Sequence, residues 1–109
     1  MAYSEDLAER VRDELAPRAE VVERKMFGGV AWMLRGNMAC GVIGDDLLVR
    51  LDRGEVEEAL AEEHVRPMDF TGRPMRGFVI VEAPRVVDDA ELVRWVDAGA
   101  GYAESLPGK

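Results

Sequence analysis

The stretch VVERKMFGGVAWMLRGNMACGVIGDDLLVRL, residues 21–51, decides the fold of this chain. Short apolar runs alternate there with glycine-containing turn signals, a pattern typical of β-strands joined by tight turns. We predict four strands, at about 22–27, 30–34, 38–43 and 47–51. The first two are either separate strands or one strand broken by a glycine bulge at Gly28-Gly29. The short connections favour antiparallel pairing.

Helical patterns lie before and after this stretch. The first helix begins after Ser4, which can cap it, and ends where Pro17 blocks its continuation. A second helix is predicted at about 54–63, and a third begins at Asp88 or Asp89. Two more strands separate these last two helices, at about 66–70 and 77–81.

Counted with the first two runs as one strand, the order α-β-β-β-α-β-β-α predicts an α+β two-layer sandwich with an antiparallel sheet, in a single domain over residues 1–109. Several strands, such as 30–34 and 38–43, are apolar on both faces. Helices in such a sandwich cover only one face of the sheet. We therefore expect a large apolar patch on the outer face, and a homodimer that shares this face or the sheet edge.

Composition and charge exclude several kinds of protein. The chain has 109 residues and a net charge of −8, so as a whole it repels phosphate backbones and anionic membranes. A single cysteine rules out an internal disulfide and a cysteine-built zinc site, and it fits a reducing cytoplasm. The N-terminus has no signal-peptide pattern, and no apolar run is long enough to cross a membrane. We expect a cytoplasmic protein.

The charges separate along the chain: the helical stretches are acidic and the strand stretches are mildly basic. Solvated helix faces rich in glutamate explain most of this pattern. An alternative is a basic strip that faces an acidic partner, made of Arg24, Lys25, Arg66, Arg73 and Arg76. Because no exposed aromatic residues are interleaved with it, direct contact with nucleic acid is not expected.

Few residues can carry chemistry. Cys40 lies in an apolar strand and His64 at the end of an acidic helix, so a buried inert thiol and a surface histidine are predicted. The aspartate pairs at 45–46 and 88–89 suit turns and helix caps better than a cation site. We predict no catalytic residue, no cofactor and no metal site.

Three segments together resemble the N-terminal domain of the TfoX/Sxy family of competence regulators. They are KMFGGVA at 25–31, GNMACGV at 36–42 and DFTGRPMRG at 69–77. The resemblance runs along nearly the whole chain. It implies an α+β fold of the secretion-chaperone-like type and a role in regulating competence genes for DNA uptake. The full-length regulators carry a second, C-terminal domain, and this chain resembles their first half. The family supplies no established catalytic residues.

The motif residues suit structural roles, which elementary stereochemistry explains, as easily as functional ones. They are Met26, Phe27, Gly28, Gly29, Gly72, Pro74 and Gly77. The candidate interaction residues are Lys25, Arg73 and Arg76. An equally good interpretation of Arg73 and Arg76 is structural: one of them forms an ion pair with Asp69.

The leading hypothesis is a non-enzymatic regulatory domain that acts through contacts with a protein partner whose identity the sequence leaves open. One alternative is a small ligand-binding domain or enzyme that uses Arg73, Arg76 and Cys40. The other alternative is direct nucleic-acid binding through the basic strip.

Overall fold

The structure is a computed structural model that describes residues 3–26, 28–70 and 73–108, with the side chains of 69, 70 and 73–76 left out. Within these residues the helices are α1 (Glu5–Leu15), α2 (Arg53–Leu60), α3 (Ala83–Val86) and α4 (Asp89–Ser105). The strands are β1 (Val21–Met26), β2 (Gly29–Leu34), β3 (Asn37–Ile43), β4 (Asp46–Arg50), β5 (Val65–Phe70) and β6 (Arg73–Val81).

All six strands form one sheet in the order β1-β2-β3-β4-β6-β5, and each pair is antiparallel. The predicted α+β class, the antiparallel sheet and the order of elements are confirmed, with one short additional helix, α3, before α4. The alternative of one broken strand over the first two runs is wrong, because β1 and β2 pair with each other as a hairpin. The last helix is confirmed with Asp88 as its cap: the Asp88 carboxylate accepts from the Ala90 N–H at 2.9 Å.

The glycines between β1 and β2 explain why a hairpin forms there. Gly28 has a φ of +75°, in the left-handed region that a tight turn requires. A Cβ placed on Gly29 would collide with the carbonyl oxygen of Val42 on β3. The second glycine therefore lets β2 start close against its neighbour, which no larger residue would permit.

The main core lies between the helices and one face of the sheet. The amphipathic face of α1 contributes Leu7, Ala8, Val11 and Leu15. From the sheet, Trp32 and Leu34 point into this core and are at most 1% exposed. A substitution at either residue would therefore disrupt the core rather than an interface on the outer face.

The outer face of the sheet has its own buried cluster. Ala31, Leu48 and Ile80 are no more than 3% exposed, and Met38 and Met68 lie beside them at 9% and 5%. Long, flexible methionine side chains cover the shorter residues, which methionine does well in irregular spaces. The expected large apolar patch on this face is therefore wrong for the described residues. Their exposed large hydrophobic residues are Val22, Val87 and Val93.

Helix α4 lies directly on β3 because of a glycine. A Cβ on Gly99 would collide with the carbonyl oxygen of Ala39, whereas one on Gly101 would meet open space. The close approach brings Trp95 and Val96 against the sheet, where both are at most 3% exposed. Gly99 therefore sets how closely α4 approaches the sheet.

Segments near the two ends of the chain pack against opposite ends of β3. The Ser4 N–H donates to the carbonyl of Gly44 at 2.7 Å, just beyond β3. At the other end, the Asn37 side-chain amide donates to the carbonyl of Pro107 at 2.8 Å. Asn37 is only 2% exposed, so this bond satisfies a polar group that would otherwise be buried without a partner.

Candidate functional site

The sheet has two edges, and they differ in how readily another strand could pair with them. β5 contains Pro67, which has no N–H to donate, and its pairing shifts register between Pro67 and Asp69. β1 runs for six residues without a proline, a glycine or a register shift. An edge of this kind is a template for a further strand.

The side chains of β1 are exposed over four consecutive residues, 22–25. Val22 is 49% exposed, and it shares the outer face of the sheet with Arg24, since these residues pair with Met33 and Ala31. Glu23 and Lys25 point to the helix side of the sheet. Among the carboxylates that the structure describes, none lies within ion-pair distance of Arg24 or Lys25.

Glu23 anchors β1 to α1. Its carboxylate accepts two hydrogen bonds from the Arg12 guanidinium, at 2.7 and 3.0 Å, and one from the Trp32 indole at 3.0 Å. The bond from Arg12 is the main reason that the pKa of Glu23 lies below its usual value, and Trp32 lowers it further. Glu23 therefore stays ionised at neutral pH, with β1 held in place on its inner side.

The predicted basic strip is not brought together. Arg24 and Lys25 lie on β1, whereas Arg66 lies on β5 at the opposite edge, about 24 Å away across five strand spacings. Arg66 is paired with Glu82 at 3.2 Å and with Asp46 at 3.4 Å. Arg73 and Arg76 belong to β6, beside β5, and their side chains lie outside the described residues. Residues from opposite edges of a sheet cannot form one continuous contact surface.

The motif residues that the structure describes serve the fold. Met26 packs on the outer-face cluster, and Gly77, with a φ of +84°, accepts at its carbonyl from the Leu51 N–H at 2.8 Å. Pro74 pairs with Asp69 through the β5–β6 hairpin. Phe27 and Gly72 lie outside the described residues.

Cys40 and His64 are not brought together, since β3 and β5 are separated in the sheet by β4 and β6. Cys40 is fully buried, and burial raises the pKa of its thiol to about 12. His64 lies at the surface, 3.7 Å from carboxylate oxygens of Glu63 and Glu82. The predictions that the Cys40 thiol is buried and that His64 lies at the surface are confirmed.

The described contacts of the aspartate pairs serve the fold. Asp46 accepts from the Ala83 N–H at 2.9 Å and so joins β4 to the start of α3, while Asp88 caps α4. The described residues contain no group of three or more histidine, cysteine, aspartate or glutamate side chains that could hold a metal ion. In the same residues, no helix is long and apolar enough to cross a membrane.

A cleft of about 220 Å3 between α2 and α4 was not anticipated from the sequence. We refer to it as the α2/α4 cleft; its lining residues are Leu51, Glu55, Glu58, Ala59, Glu62, Arg94, Trp95 and Ala98. The sequence signal was the spacing of the three glutamates, which fall on one face of a helix. Nothing in the sequence indicated that α4 would face them.

One side of the α2/α4 cleft is held by a network of charges. The Glu62 carboxylate accepts from Arg94 at 2.6 Å and from Arg85 at 2.5 Å. These bonds, that from Arg94 first, lower the pKa of Glu62. The Arg94 guanidinium also lies 4.5 Å from the centre of the Trp95 ring. This network joins the segment that follows α2 to α3 and α4, and it lies along one side of the cleft.

Comparison with known proteins identifies a family whose model covers most of the chain. No curated protein and no solved structure matches the chain. The family of the TfoX N-terminal domain matches residues 13–103 of the 109. That span begins within α1 and ends within α4, so it includes the whole sheet. The chain therefore belongs to the TfoX N-terminal domain family.

Proposed function

We propose that this chain is a non-enzymatic regulatory domain that acts by protein contact and forms a homodimer through β1. The observation that carries this proposal is the regular, exposed edge of β1, with two cations that no described carboxylate neutralises. Membership of the TfoX N-terminal domain family supports a role in the regulation of competence genes.

The edge suits a second copy of the same strand. In an antiparallel pair related by a two-fold axis through the sheet, each residue opposes one from the same face. A pairing centred on Arg24 places Glu23 opposite Lys25 of the second copy, twice, and Val22 opposite Met26. The two Arg24 side chains then face each other, and the two Glu23–Lys25 pairs offset this like-charge contact.

The other nearby pairing is less favourable. Centred on Glu23, it places the two Glu23 carboxylates directly opposite each other, and it forms no pair of opposite charges to offset that repulsion. We therefore favour the pairing centred on Arg24. It would extend the six-stranded sheet of one chain into a continuous sheet of two chains.

The homodimer is tested by light scattering at micromolar concentrations. We expect a mass of about 24 kDa, twice the 12.1 kDa of one chain. Lys25→Glu places a carboxylate opposite Glu23 of the second copy, and we expect it to give 12 kDa particles. Arg53→Glu makes the same change of charge at an exposed position on α2 and should leave the dimer intact. A wild-type mass of 12 kDa would overturn the dimer.

The regulatory role is tested in cells by measuring DNA uptake. We expect deletion of the gene, and replacement by the Lys25→Glu allele, to change the frequency of transformation in the same direction. The Arg53→Glu allele should behave as wild type. A transformation frequency that deletion does not change would contradict a role in competence.

A further inference from the structure

We propose that the α2/α4 cleft binds the side chain of an arginine in a basic segment of a partner protein. The proposal concerns a surface separate from β1, because α2 and α4 lie on the helix-covered side of the sheet, away from its β1 edge. It therefore goes beyond the dimer and names a kind of partner.

The size of the cleft favours one side chain over a free ligand. Pockets for drug-sized molecules occupy about 300–1,000 Å3. The α2/α4 cleft measures about 220 Å3 and is partly open to solvent. A space of this volume suits one long side chain that extends from a peptide lying across the opening.

The charge of the rim favours a cation. Glu55 and Glu58 lie one helical turn apart and are exposed, and no cation among the described side chains is within ion-pair distance of either. Glu62, on the same rim, is already neutralised by Arg85 and Arg94. The cleft therefore has two free carboxylates on the α2 side and a fully paired one beside them.

The floor favours a cation with an apolar stem. It is formed by Leu51, Ala59, Trp95 and Ala98. Arg94 lies over the Trp95 ring, and the Trp95 indole N–H donates to Glu91 at 3.2 Å. Arg94 therefore covers part of the Trp95 ring, and Leu51, Ala59 and Trp95 are only 3–5% exposed, whereas Ala98 is exposed. The apolar surface that stays free is small and suits a single methylene stem, which arginine and lysine bury while the charged end stays in water.

Arginine fits the rim better than lysine does. Side chains three positions apart on a helix are about 5–6 Å apart at their Cβ atoms. A planar guanidinium presents several N–H donors in a fixed fork and can bridge two carboxylates, whereas an ammonium is a compact point charge. The net charge of −8 adds long-range attraction for a basic segment.

The experiment follows backbone amide shifts of nitrogen-15-labelled protein during titration with a capped Gly-Ser-Arg-Ser-Gly peptide. We expect shifts at residues 55–62 and at the Trp95 indole N–H, with a dissociation constant of about 1 mM or lower. The same peptide with citrulline, which has the shape of arginine without its charge, should produce no shift. Equal shifts with the citrulline peptide would overturn the proposal.

Two charge-matched double variants separate the cleft from the general acidity of the chain. Glu55→Gln with Glu58→Gln should weaken binding about tenfold. Glu57→Gln with Glu63→Gln removes the same charge from exposed positions that do not line the cleft, and it should change binding less than about twofold. Equal weakening by both pairs, or no shift at residues 55–62 with millimolar peptide, would overturn the proposal.

The result of the peptide titration does not depend on whether the protein forms a dimer. The Glu55 and Glu58 double variant should keep the mass of the wild type in light scattering and its melting temperature. Lys25→Glu should keep the wild-type affinity for the arginine peptide. A loss of peptide binding in Lys25→Glu would show that the shifts report the β1 edge and would overturn the assignment to the cleft.

Discussion

Ionisation of the Glu14 carboxyl group opposes folding. It is half-buried on α1 and lies beside Asp97 of α4, while Arg18 binds Asp97 at 3.3 Å and Glu104 at 2.6 Å. Burial, followed by the contact with Asp97, raises the pKa of Glu14. A group whose pKa is higher in the folded state than in the unfolded state stabilises the folded protein fully at pH values below its unfolded-state pKa. That contribution is lost as the pH rises through the folded pKa.

Replacing Glu14 by glutamine should therefore stabilise the protein at neutral pH. We expect the free energy of unfolding at pH 7 to increase by about 0.5 kcal/mol, a modest value because the site is partly solvated. The gain should disappear below about pH 4, where the wild-type carboxyl is protonated as well. Urea denaturation at both pH values measures it. Glu9→Gln, exposed on the same helix, is the control and should give a smaller gain.

Among the elements, the contact between α4 and β3 depends on Gly99. An alanine there would force its methyl group into the carbonyl of Ala39, so α4 would have to shift away from the sheet. We expect Gly99→Ala to lower the free energy of unfolding by about 1–3 kcal/mol, as overpacked core positions do. Gly101→Ala, in open space on the same helix, should raise it by up to about 1 kcal/mol. Thermal denaturation of both variants would contradict this if the two changes had the same sign.

Individual elements could be predicted from local signals, but their contacts could not. The helix starts are set by Ser4 and Asp88, which cap α1 and α4, and the end of α1 is set by Pro17, which has no N–H to donate. Each of these effects involves residues that are close together in the sequence. Gly28-Gly29 suits a bulge or a hairpin equally well, and the choice depends on the approach of Val42 from another strand.

The same reason explains the two errors about surfaces. The expectation of an exposed apolar patch on the outer face was wrong because methionine side chains from several strands pack over it, and strand alternation alone does not reveal this packing. The alternative of one basic strip does not hold for Arg24, Lys25 and Arg66, because strand order, and not sequence order, decides which cations are neighbours. The α2/α4 cleft joins residues about forty positions apart, so no local pattern indicated it.

For the whole molecule, the net charge of −8 should give the two proposed contacts opposite responses to salt. Two chains of the same charge repel over distances that salt screens, with a Debye length of about 10 Å at 0.1 M. Raising the salt concentration should therefore increase the fraction of dimer. The arginine peptide is attracted by the same net charge and should bind more weakly.

Light scattering and peptide titration over the same salt series measure both responses. A dimer that dissociates as salt is added would show that ion pairs at β1 contribute more than the overall repulsion. Peptide binding that is independent of salt would contradict an electrostatic role for the rim of the cleft.

The single cysteine can also be used to measure how often the folded protein opens. Cys40 lies on a central strand with none of its surface accessible, so a thiol reagent can reach it only when the sheet opens. The rate of labelling under native conditions then reports the population of open molecules. Any partner that binds only the folded state must slow this reaction in proportion to its occupancy, because it reduces that population. The unmodified chain can therefore be used to screen for partners through the protection of one sulfur atom.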